Sequence, residues 1–312
     1  MSKYINITNR DRNLLKLNIN NCDVSLVNSI RRIILSEVPT VGFKMESYED
    51  SDIKIIKNTS SLHNEFLIHR ISEIPIYIEN TDTFDPLQYT FELNVENTGT
   101  KIINVTTKDI VVTDNNTKEK IDSSILFPPD PITGDHILIT KLKSNPNGEG
   151  EVFHFIAKAS LGIGKEHAAF SPVSNVSYTN VIDSKKFEAA LKKHIIENVE
   201  SPDSLDQKDV DRMSKSFQIT EGERYFKTDQ YDRPSEFDFT IESIGAIPSA
   251  NILTKAIFLL VVKIKKFMNN LINAQLNIKN DVVEVYESQS VMKGFDIIIY
   301  NETHTLGNLL QS

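Results

Sequence analysis

A glycine-containing turn around Gly162 is the first segment whose residue types could do chemistry. The run GIGKEH places Gly162, Gly164 and Lys165 together, and a glycine loop that ends in lysine can cradle phosphate groups. The Walker pattern requires a glycine five residues before Gly164 and a serine or threonine after the lysine. Ala159 and Glu166 occupy those two positions, so the run predicts a turn and not a nucleotide site.

Two groups of acidic residues could in principle hold divalent metal ions. Two-metal nucleotidyl transfer requires clustered carboxylates that face inward. The first group lies on the polar face of the alternating run EFDFTIE and comprises Glu236, Asp238 and Glu242. The second lies in the polar run 200–212 and comprises Asp206, Asp209 and Asp211. The alternation predicts a solvated strand face for the first group, and the polar run predicts a surface loop for the second.

The histidines and the cysteine of the chain also match no motif for metal binding or catalysis. The seven histidines form no HExxH pattern, and the single cysteine, Cys22, cannot build an internal disulfide or a thiolate zinc cluster. No Ser-His-Asp arrangement can be assigned. The sequence therefore predicts no catalytic residue, no cofactor and no metal. An enzyme with a divergent site stays a rival interpretation, against which the empty motif search weighs.

Charge and hydropathy narrow the class of protein further. The 312-residue chain has a net charge of −9, which argues against a free-standing DNA-binding module but not against a subunit near nucleic acid in a larger complex. The most apolar stretch, 256–262, is far shorter than the roughly 20 residues that cross a bilayer. We therefore expect no membrane partner.

Helical periodicity predicts the elements that must position any site. Apolar residues recur at helical spacing from Val24 to Val38, after the N-cap residue Asp23 and before Pro39. A short amphipathic helix is predicted over 184–199. The strongest helix begins at Pro248, and its apolar stripe comprises Leu253, Ile257, Leu260, Ile264, Phe267 and Leu271. That stripe is equally consistent with a core-facing helix and with a contact to another subunit.

Strand periodicity complements these helices. Alternation predicts strands at 13–20 and 236–242. Residues 46–160 are rich in Thr, Asn, Asp and Val in short alternating runs between turn signals, which is typical of a small strand-rich domain.

The two ends of the chain resemble each other. At an offset of 280 residues and without a gap, the run 294–310 aligns with the run 14–30. The aligned pairs include Leu15 with Phe295, Leu17 with Ile297, Ile19 with Ile299, Asn21 with Asn301, Ser25 with Thr305, Leu26 with Leu306 and Asn28 with Asn308. Two related strand–turn–helix units in one chain predict a pseudo-two-fold pair made intramolecular by fusion.

Several segments resemble one family. The segment 28–43, NSIRRIILSEVPTVGF, resembles the first helix of the alpha-like subunits of cellular RNA polymerases. HRISEIPI (69–76), VTTKDI (105–110) and FDFTIESIGAIPSANIL (237–253) are similar to further segments of those subunits. GIGKEHAAFSPVSNVSY (162–178) resembles the archaeal and eukaryotic G-x-G-K-x-H-A-K-W-S-P segment, with Ala169 and Phe170 in place of Lys and Trp. NETHTLGNLL (301–310) is similar to the signature of the smaller alpha-like partner.

The resemblance implies an α+β fold with a discontinuous architecture. A two-layer alpha-like dimerisation domain would comprise 1–45 and 160–278, with a strand-rich insert at 46–159. Residues 279–312 would begin a second alpha-like domain of the small-partner type. Cysteines that bind zinc or an iron–sulfur cluster in the insert of many family members are absent here, so the resemblance implies no metal.

The implied function is a non-catalytic assembly platform in a multisubunit DNA-directed RNA polymerase. The platform would pair with the fused small half in cis and dock the largest and second-largest subunits and the small assembly subunits, meeting nucleic acid only through the complex. The partner-interface residues that the resemblance implies are Asn28, Ser29, Arg31, Arg32, Gly162, Gly164, Lys165, His167, Leu253, Ile257, Leu260, Ile264, His304, Thr305, Leu306, Gly307 and Asn308. The rival is a stand-alone adaptor that reuses the same fold.

Two expectations concern origin and extent. The fusion resembles the arrangement in some large cytoplasmic DNA viruses, which implies an intracellular protein of the host cytoplasm and the virion. The second half stops at Ser312, where the family pattern would continue. We therefore expect an incomplete chain, with a naturally short product as the alternative.

Overall fold

The computed structural model describes residues 4–47, 49–144, 150–198, 207–275, 282–288 and 294–311. The strands in chain order are β1 (Ile5–Arg10), β2 (Leu14–Asn20), β3 (Thr40–Gly42), β4 (Ile53–Asn58), β5 (Tyr89–Glu96), β6 (Ile103–Thr106), β7 (Val111–Asp114), β8 (Lys120–Ile121), β9 (Leu138–Leu142), β10 (Val152–Ala157), β11 (Ser160–Gly162), β12 (Val173–Asn180), β13 (Glu236–Ser243), β14 (Val283–Glu287) and β15 (Phe295–Ile299). The helices are α1 (Val24–Ser36), α2 (Asn64–Ser72), α3 (Ser123–Leu126), α4 (Ser184–Asn198), α5 (Gln207–Glu221), α6 (Ser249–Gln275) and α7 (His304–Gln311).

The chain divides into two compact units. The first comprises residues 1–32, 175–241 and 257–312, and the second comprises 33–174 and 242–256. The predicted insert 46–159 lies wholly within the second unit. The boundaries predicted for the three domains stay a prediction.

A four-stranded sheet with the order β1-β2-β13-β12 belongs to the first unit. The alternation predicted for β13 is confirmed, because Phe237, Phe239 and Ile241 are each at most 1% exposed. Two of its carboxylates make separate contacts: Asp238 accepts a hydrogen bond from the Asn18 amide at 3.1 Å, and Glu236 lies 2.7 Å from the Lys227 ammonium. Among the described residues, these carboxylates belong to no group that could hold a metal ion.

An antiparallel sheet dominates the second unit. Its strand order is β4-β10-β5-β7-β8, and the strand-rich texture predicted for 46–160 is confirmed. Phenylalanine rings fill its core: Phe91 lies 5.2 Å from Phe43 and 5.9 Å from Phe127, measured between ring centroids. Phe153 and Phe155 of β10 are fully buried in the same core. These rings are the largest side chains of the hydrophobic core of the second compact unit.

Helix α5 corrects the surface loop predicted over 200–212. Residues 207–212 are helical, so Asp209 and Asp211 lie in α5, and Asp206 falls outside the described residues. The helix forms because Phe217, only 5% exposed, packs on Phe187 of α4 with ring centroids 5.6 Å apart. The polar residues between 208 and 212 belong to the solvated face of an amphipathic helix, and residues 200–206 lie outside the described part of the chain.

Candidate partner interface

Helix α1 is the element on which the candidate interface is built. Its first turn is capped as predicted, since a carboxylate oxygen of Asp23 accepts from the Ser25 N–H at 2.8 Å. The hydrogen bonds from the backbone N–H and the hydroxyl of Ser25 lower the pKa of Asp23, and the charge of Arg233 adds a smaller contribution. The helix ends at Ser36, three residues before Pro39. The cap and the proline together fix where α1 starts and stops.

The faces of α1 divide between core and outer surface. Val27, Ile33 and Ile34 are at most 1% exposed, and Ile30, which was predicted to face the core, is half-buried. The two arginines differ from each other. Arg31 is half-buried and donates from Nε and Nη2 to Oδ1 of Asn28 in its own helix, at 3.2 and 3.0 Å. Arg32 is exposed.

The second strand–turn–helix unit reproduces the first in backbone detail. Asn21 and Asn301, which the offset of 280 aligns, both adopt the left-handed conformation, with φ of 52° and 61°. That conformation is uncommon for residues other than glycine, and asparagine tolerates it best. The helices α1 and α7 begin at Val24 and His304, which the same offset aligns. Equivalent backbone hydrogen bonds close the two hairpins at 2.8 Å, from Asn20 N–H to Tyr4 O and from Tyr300 N–H to Val282 O.

Helices α1 and α7 contact each other through a hydrogen bond and a shared cleft. The buried hydroxyl of Ser29 donates to the carbonyl oxygen of Thr305 at 3.3 Å. A cleft of about 200 Å³ lies between them, and it is lined by Ser29, Arg32, Tyr178 and the aligned pairs Val24 with His304, Ser25 with Thr305 and Asn28 with Asn308. The three aligned pairs give the cleft a partial resemblance to an isologous interface, in which both sides contribute the same positions.

A small apolar cluster and an ion pair hold α7 in place. Leu306 is 3% exposed and packs with Phe267 of α6 and Val283 of β14. Lys263 of α6 lies 3.1 Å from the carboxylate of Glu302, and the two side chains are 24% and 19% exposed. This ion pair was not predicted from the sequence. Its only signal was that Lys263 stands off the apolar stripe of α6.

The segment 162–167 supports the C-terminal end of α1. The Lys165 N–H donates to the carbonyl oxygen of Ser36 at 2.9 Å. A Cβ at Gly164 would overlap the Leu35 carbonyl oxygen, so only glycine allows this approach. His167 accepts from the Ala169 N–H through Nδ1 at 3.1 Å, which gives it a capping role. Lys165 itself is exposed.

The apolar stripe of α6 is covered in part by the chain itself. Leu260 is 5% exposed, and Ile264 packs against the cluster of Phe267 and Leu306. Leu253 and Ile257 are half-buried. The other face of the helix carries the exposed residues Phe258, Val261, Val262, Met268 and Ile272. The structure therefore gives Leu260 and Ile264 an intramolecular partner.

The arrangement is suited to association with another protein surface. The cleft offers hydroxyl, amide and imidazole groups that can hydrogen-bond a protein partner. Among the described residues, no three His, Cys, Asp or Glu side chains come together in a way that could hold a metal ion. No helix in the described ranges is long and apolar enough to cross a membrane.

Comparison with known proteins identifies the family. The profile described as "RNA polymerase Rpb3/Rpb11 dimerisation domain" matches residues 16–264. The chain belongs to the Rpb3/Rpb11 dimerisation domain family. Its matched range takes in α1, the segment 162–167 and the larger part of α6, whereas β14, β15 and α7 lie outside it. The α+β fold expected from the sequence is confirmed by this match.

Relatives of this Rpb3/Rpb11-type chain are similar over most of its length. The DNA-directed RNA polymerase II subunit RPB3 of Schizosaccharomyces pombe is 28% identical over 86% of this chain and 87% of its own. The DNA-directed RNA polymerases I and III subunit RPAC1 of Bos taurus is 25% identical over 88% and 86%. A conjugation stage-specific protein of Tetrahymena thermophila is 29% identical over 54% of this chain and 56% of its own length.

Proposed function

We propose that this chain is a non-catalytic assembly-platform subunit of a multisubunit DNA-directed RNA polymerase. The observation that carries the proposal is the α1–α7 contact, in which three aligned residue pairs of the two strand–turn–helix units line one cleft of a chain that belongs to a dimerisation-domain family. The relatives in cattle and fission yeast are named as subunits of such polymerases. The nucleotidyl transfer would belong to other subunits.

The second strand–turn–helix unit is proposed to be a fused small alpha-like half. The matching left-handed asparagines, helix starts and hairpin hydrogen bonds support a common origin of the two units. Fusion gives each half a high effective concentration of the other, so pairing does not depend on protein concentration. The residues His304, Thr305, Leu306, Gly307 and Asn308 would then form the cis half of the interface.

The exposed residues Arg32 and Lys165 are proposed to contact the large subunits. An arginine fork can bind a carboxylate or a carbonyl pair with defined orientation, which a lysine ammonium cannot copy. Arg31 would act through Asn28, whose side-chain oxygen it already binds. The largest and second-largest subunits and the small assembly subunits are the proposed partners, inside the cell. A viral origin, with host cytoplasm and virion as locations, belongs to the same proposal.

Copurification tests the function directly. A tagged chain expressed in its own cells should bring down two very large polypeptides and RNA-synthesising activity. The tag should be placed where it leaves α1 and α7 untouched. Recovery of the chain alone from cells that contain a multisubunit polymerase would favour the stand-alone adaptor.

Arginine variants sharpen this test. Arg31→Ala with Arg32→Ala should sharply reduce capture of the large subunits. The fold should remain, because Arg32 is exposed and the loss of the hydrogen bonds from half-buried Arg31 to Asn28 should cost only about 1 kcal/mol. The matched control is Lys192→Ala with Lys193→Ala, which removes the same charge from exposed positions of α4. Equal capture by both double variants would show that the arginines are only a solvated pair.

A further inference from the structure

Three buried polar atoms of the second compact unit have no hydrogen-bond partner among the described residues. They are Oγ1 of Thr107, Nδ1 of His136 and Oγ1 of Thr140. Each lies in the two-stranded ribbon of β6 and β9 or within two residues of it. Buried side-chain polar atoms are hydrogen-bonded in the large majority of cases, so an unpartnered group calls for an explanation. The concentration of these atoms in one ribbon points to a common cause.

The register of the ribbon places both threonine side chains on one buried face. Val105 pairs with Thr140, and paired residues direct their side chains to the same face. Thr106 has extended backbone, with φ of −128° and ψ of 173°, so Thr107 faces the same way as Val105. Thr107 and Thr140 are 0% and 3% exposed. The two hydroxyls therefore occupy diagonal positions on neighbouring segments of the chain.

A β-bulge lies between these two positions. The partner of Thr106 is Leu138 and not Ile139, which leaves Ile139 as an extra residue in the pairing. Arg70 of α2 donates to the carbonyl oxygens of Leu138 and Ile139, at 2.9 and 3.0 Å. These carbonyl groups of the bulge therefore have a partner, whereas the two threonine hydroxyls have none within the described part of the chain.

The spacing of the two hydroxyls suits one water molecule. Diagonal neighbours in antiparallel strands lie about 7–8 Å apart, with their Cβ atoms somewhat closer. A water that lies about 2.8 Å from each of two oxygen atoms spans up to about 5.6 Å between them. A hydroxyl both donates and accepts, and water is the smallest ligand that does the same. His136 offers a third polar group, because the carbonyl of the next residue, Ile137, accepts from the Thr107 N–H at 3.0 Å. Buried waters typically make about three hydrogen bonds.

We propose that the ribbon of β6 and β9 binds one ordered water between the hydroxyls of Thr107 and Thr140. The water supplies hydrogen bonds where the extra residue interrupts the pairing, and it stabilises the bulge together with Arg70. The site lies in the strand-rich insert and uses none of the residues of the candidate interface. The inference therefore does not depend on the proposed polymerase function.

Substitutions of nearly the same shape test the site in the full chain. Thr107→Val and Thr140→Val each remove one hydroxyl. Each single change should lower the melting temperature by about 2–4 °C, because the remaining hydroxyl loses its bridged partner. The double variant should melt no lower than either single variant, because it leaves neither hydroxyl buried without a partner. Oxygen-17 relaxation dispersion, which counts long-lived internal waters, should show one water fewer in each single variant and one fewer, not two, in the double variant.

Thr90→Val in β5 is the matched control. The Thr90 hydroxyl already accepts from the Asn115 amide at 3.0 Å, so its loss should leave the number of long-lived waters unchanged. Three outcomes would overturn the proposal: an unchanged water count in the single variants, two fewer waters in the double variant, and melting temperatures that rise in both single variants. The last would show two hydroxyls buried without any partner.

A measurement on the unaltered chain covers the case in which a variant fails to fold. A high-resolution crystal structure should show one water within hydrogen-bond distance of both Thr107 Oγ1 and Thr140 Oγ1. A structure in which no water bridges the two hydroxyls would overturn the proposal by itself. None of these measurements involves polymerase subunits, so failure here is distinguishable from failure of the copurification experiment.

Discussion

The carboxylate of Asp23 stabilises the start of α1 by accepting a hydrogen bond from the Ser25 N–H. Asp23→Ala should lower the unfolding free energy by about 0.5–2 kcal/mol at neutral pH, because the Ser25 N–H loses its acceptor. Asp23→Asn should cost less, since the amide oxygen can still accept. Denaturant unfolding of the three chains measures both differences.

The pH dependence of the same residue has a definite sign. The folded-state pKa of Asp23 is lowered, so its charge stabilises the fold above the unfolded carboxyl pKa of about 3.9. That contribution is lost as the pH falls through the lowered folded value. The difference between the original chain and Asp23→Asn should therefore shrink in acid. A difference that stays constant down to the lowest pH at which the chain folds would contradict the charge argument.

Single residues also show where sequence reasoning reached its limit. The cap at Asp23 was predictable, because the residue type and its place before an apolar run specify it. The bonding of Arg31 to Asn28 was not, since either arginine could have turned to solvent. The capping role of His167 likewise depends on a backbone turn that only the folded chain defines.

At the scale of elements, the support of α1 by the segment 162–167 rests on close backbone approach. Gly164→Ala should lower the melting temperature, because its Cβ would collide with the Leu35 carbonyl and displace the hydrogen bond from Lys165 to Ser36. Gly307→Ala in α7 is the matched control, as a Cβ there meets nothing within 4 Å. In a helix that change should be neutral or stabilising by up to about 1 kcal/mol. Equal melting temperatures for the two variants would mean that the turn is not packed against α1.

The elements that were predicted correctly have strong periodicity. β13 and α6 follow from strict alternation and from a long 3.6-residue stripe. α5 was missed because few of its residues are apolar, and its main anchor, Phe217, gains a partner only when α4 is folded beside it. Local pattern thus suffices for elements that bury a whole face, and tertiary contact decides the others.

At the scale of the molecule, Leu306 attaches the second strand–turn–helix unit to α6. Leu306→Ala should cost about 2–5 kcal/mol locally, because it leaves a cavity beside Phe267 and Val283. Hydrogen exchange should then show loss of protection in β15 and α7, which belong to the first compact unit. The aromatic core of the second compact unit, 33–174 and 242–256, should keep its protection. Leu310→Ala, at a position 42% exposed, is the control. A uniform loss of protection in both compact units would show that α7 does not unfold separately from the rest of the chain.

The candidate site was only partly visible from the sequence. The offset of 280 residues predicted which residues of α7 match those of α1. The repeat alone did not reveal the hydrogen bond from Ser29 to Thr305 or the ion pair of Lys263 with Glu302. Both contacts depend on how the second strand–turn–helix unit packs against α1 and α6.

The contact between Ser29 and Thr305 also forms late during synthesis of the chain. Its two residues are 276 positions apart, and the bond from Asn18 to Asp238 spans 220. At translation rates of about 5–20 residues per second, α1 leaves the ribosome roughly 15–55 seconds before α7 does. During that interval the face of α1 that Thr305 later covers is open to chaperones and to other nascent chains. The order of synthesis therefore gives a neighbouring ribosome's product the first opportunity to meet α1, before the chain can supply its own partner helix.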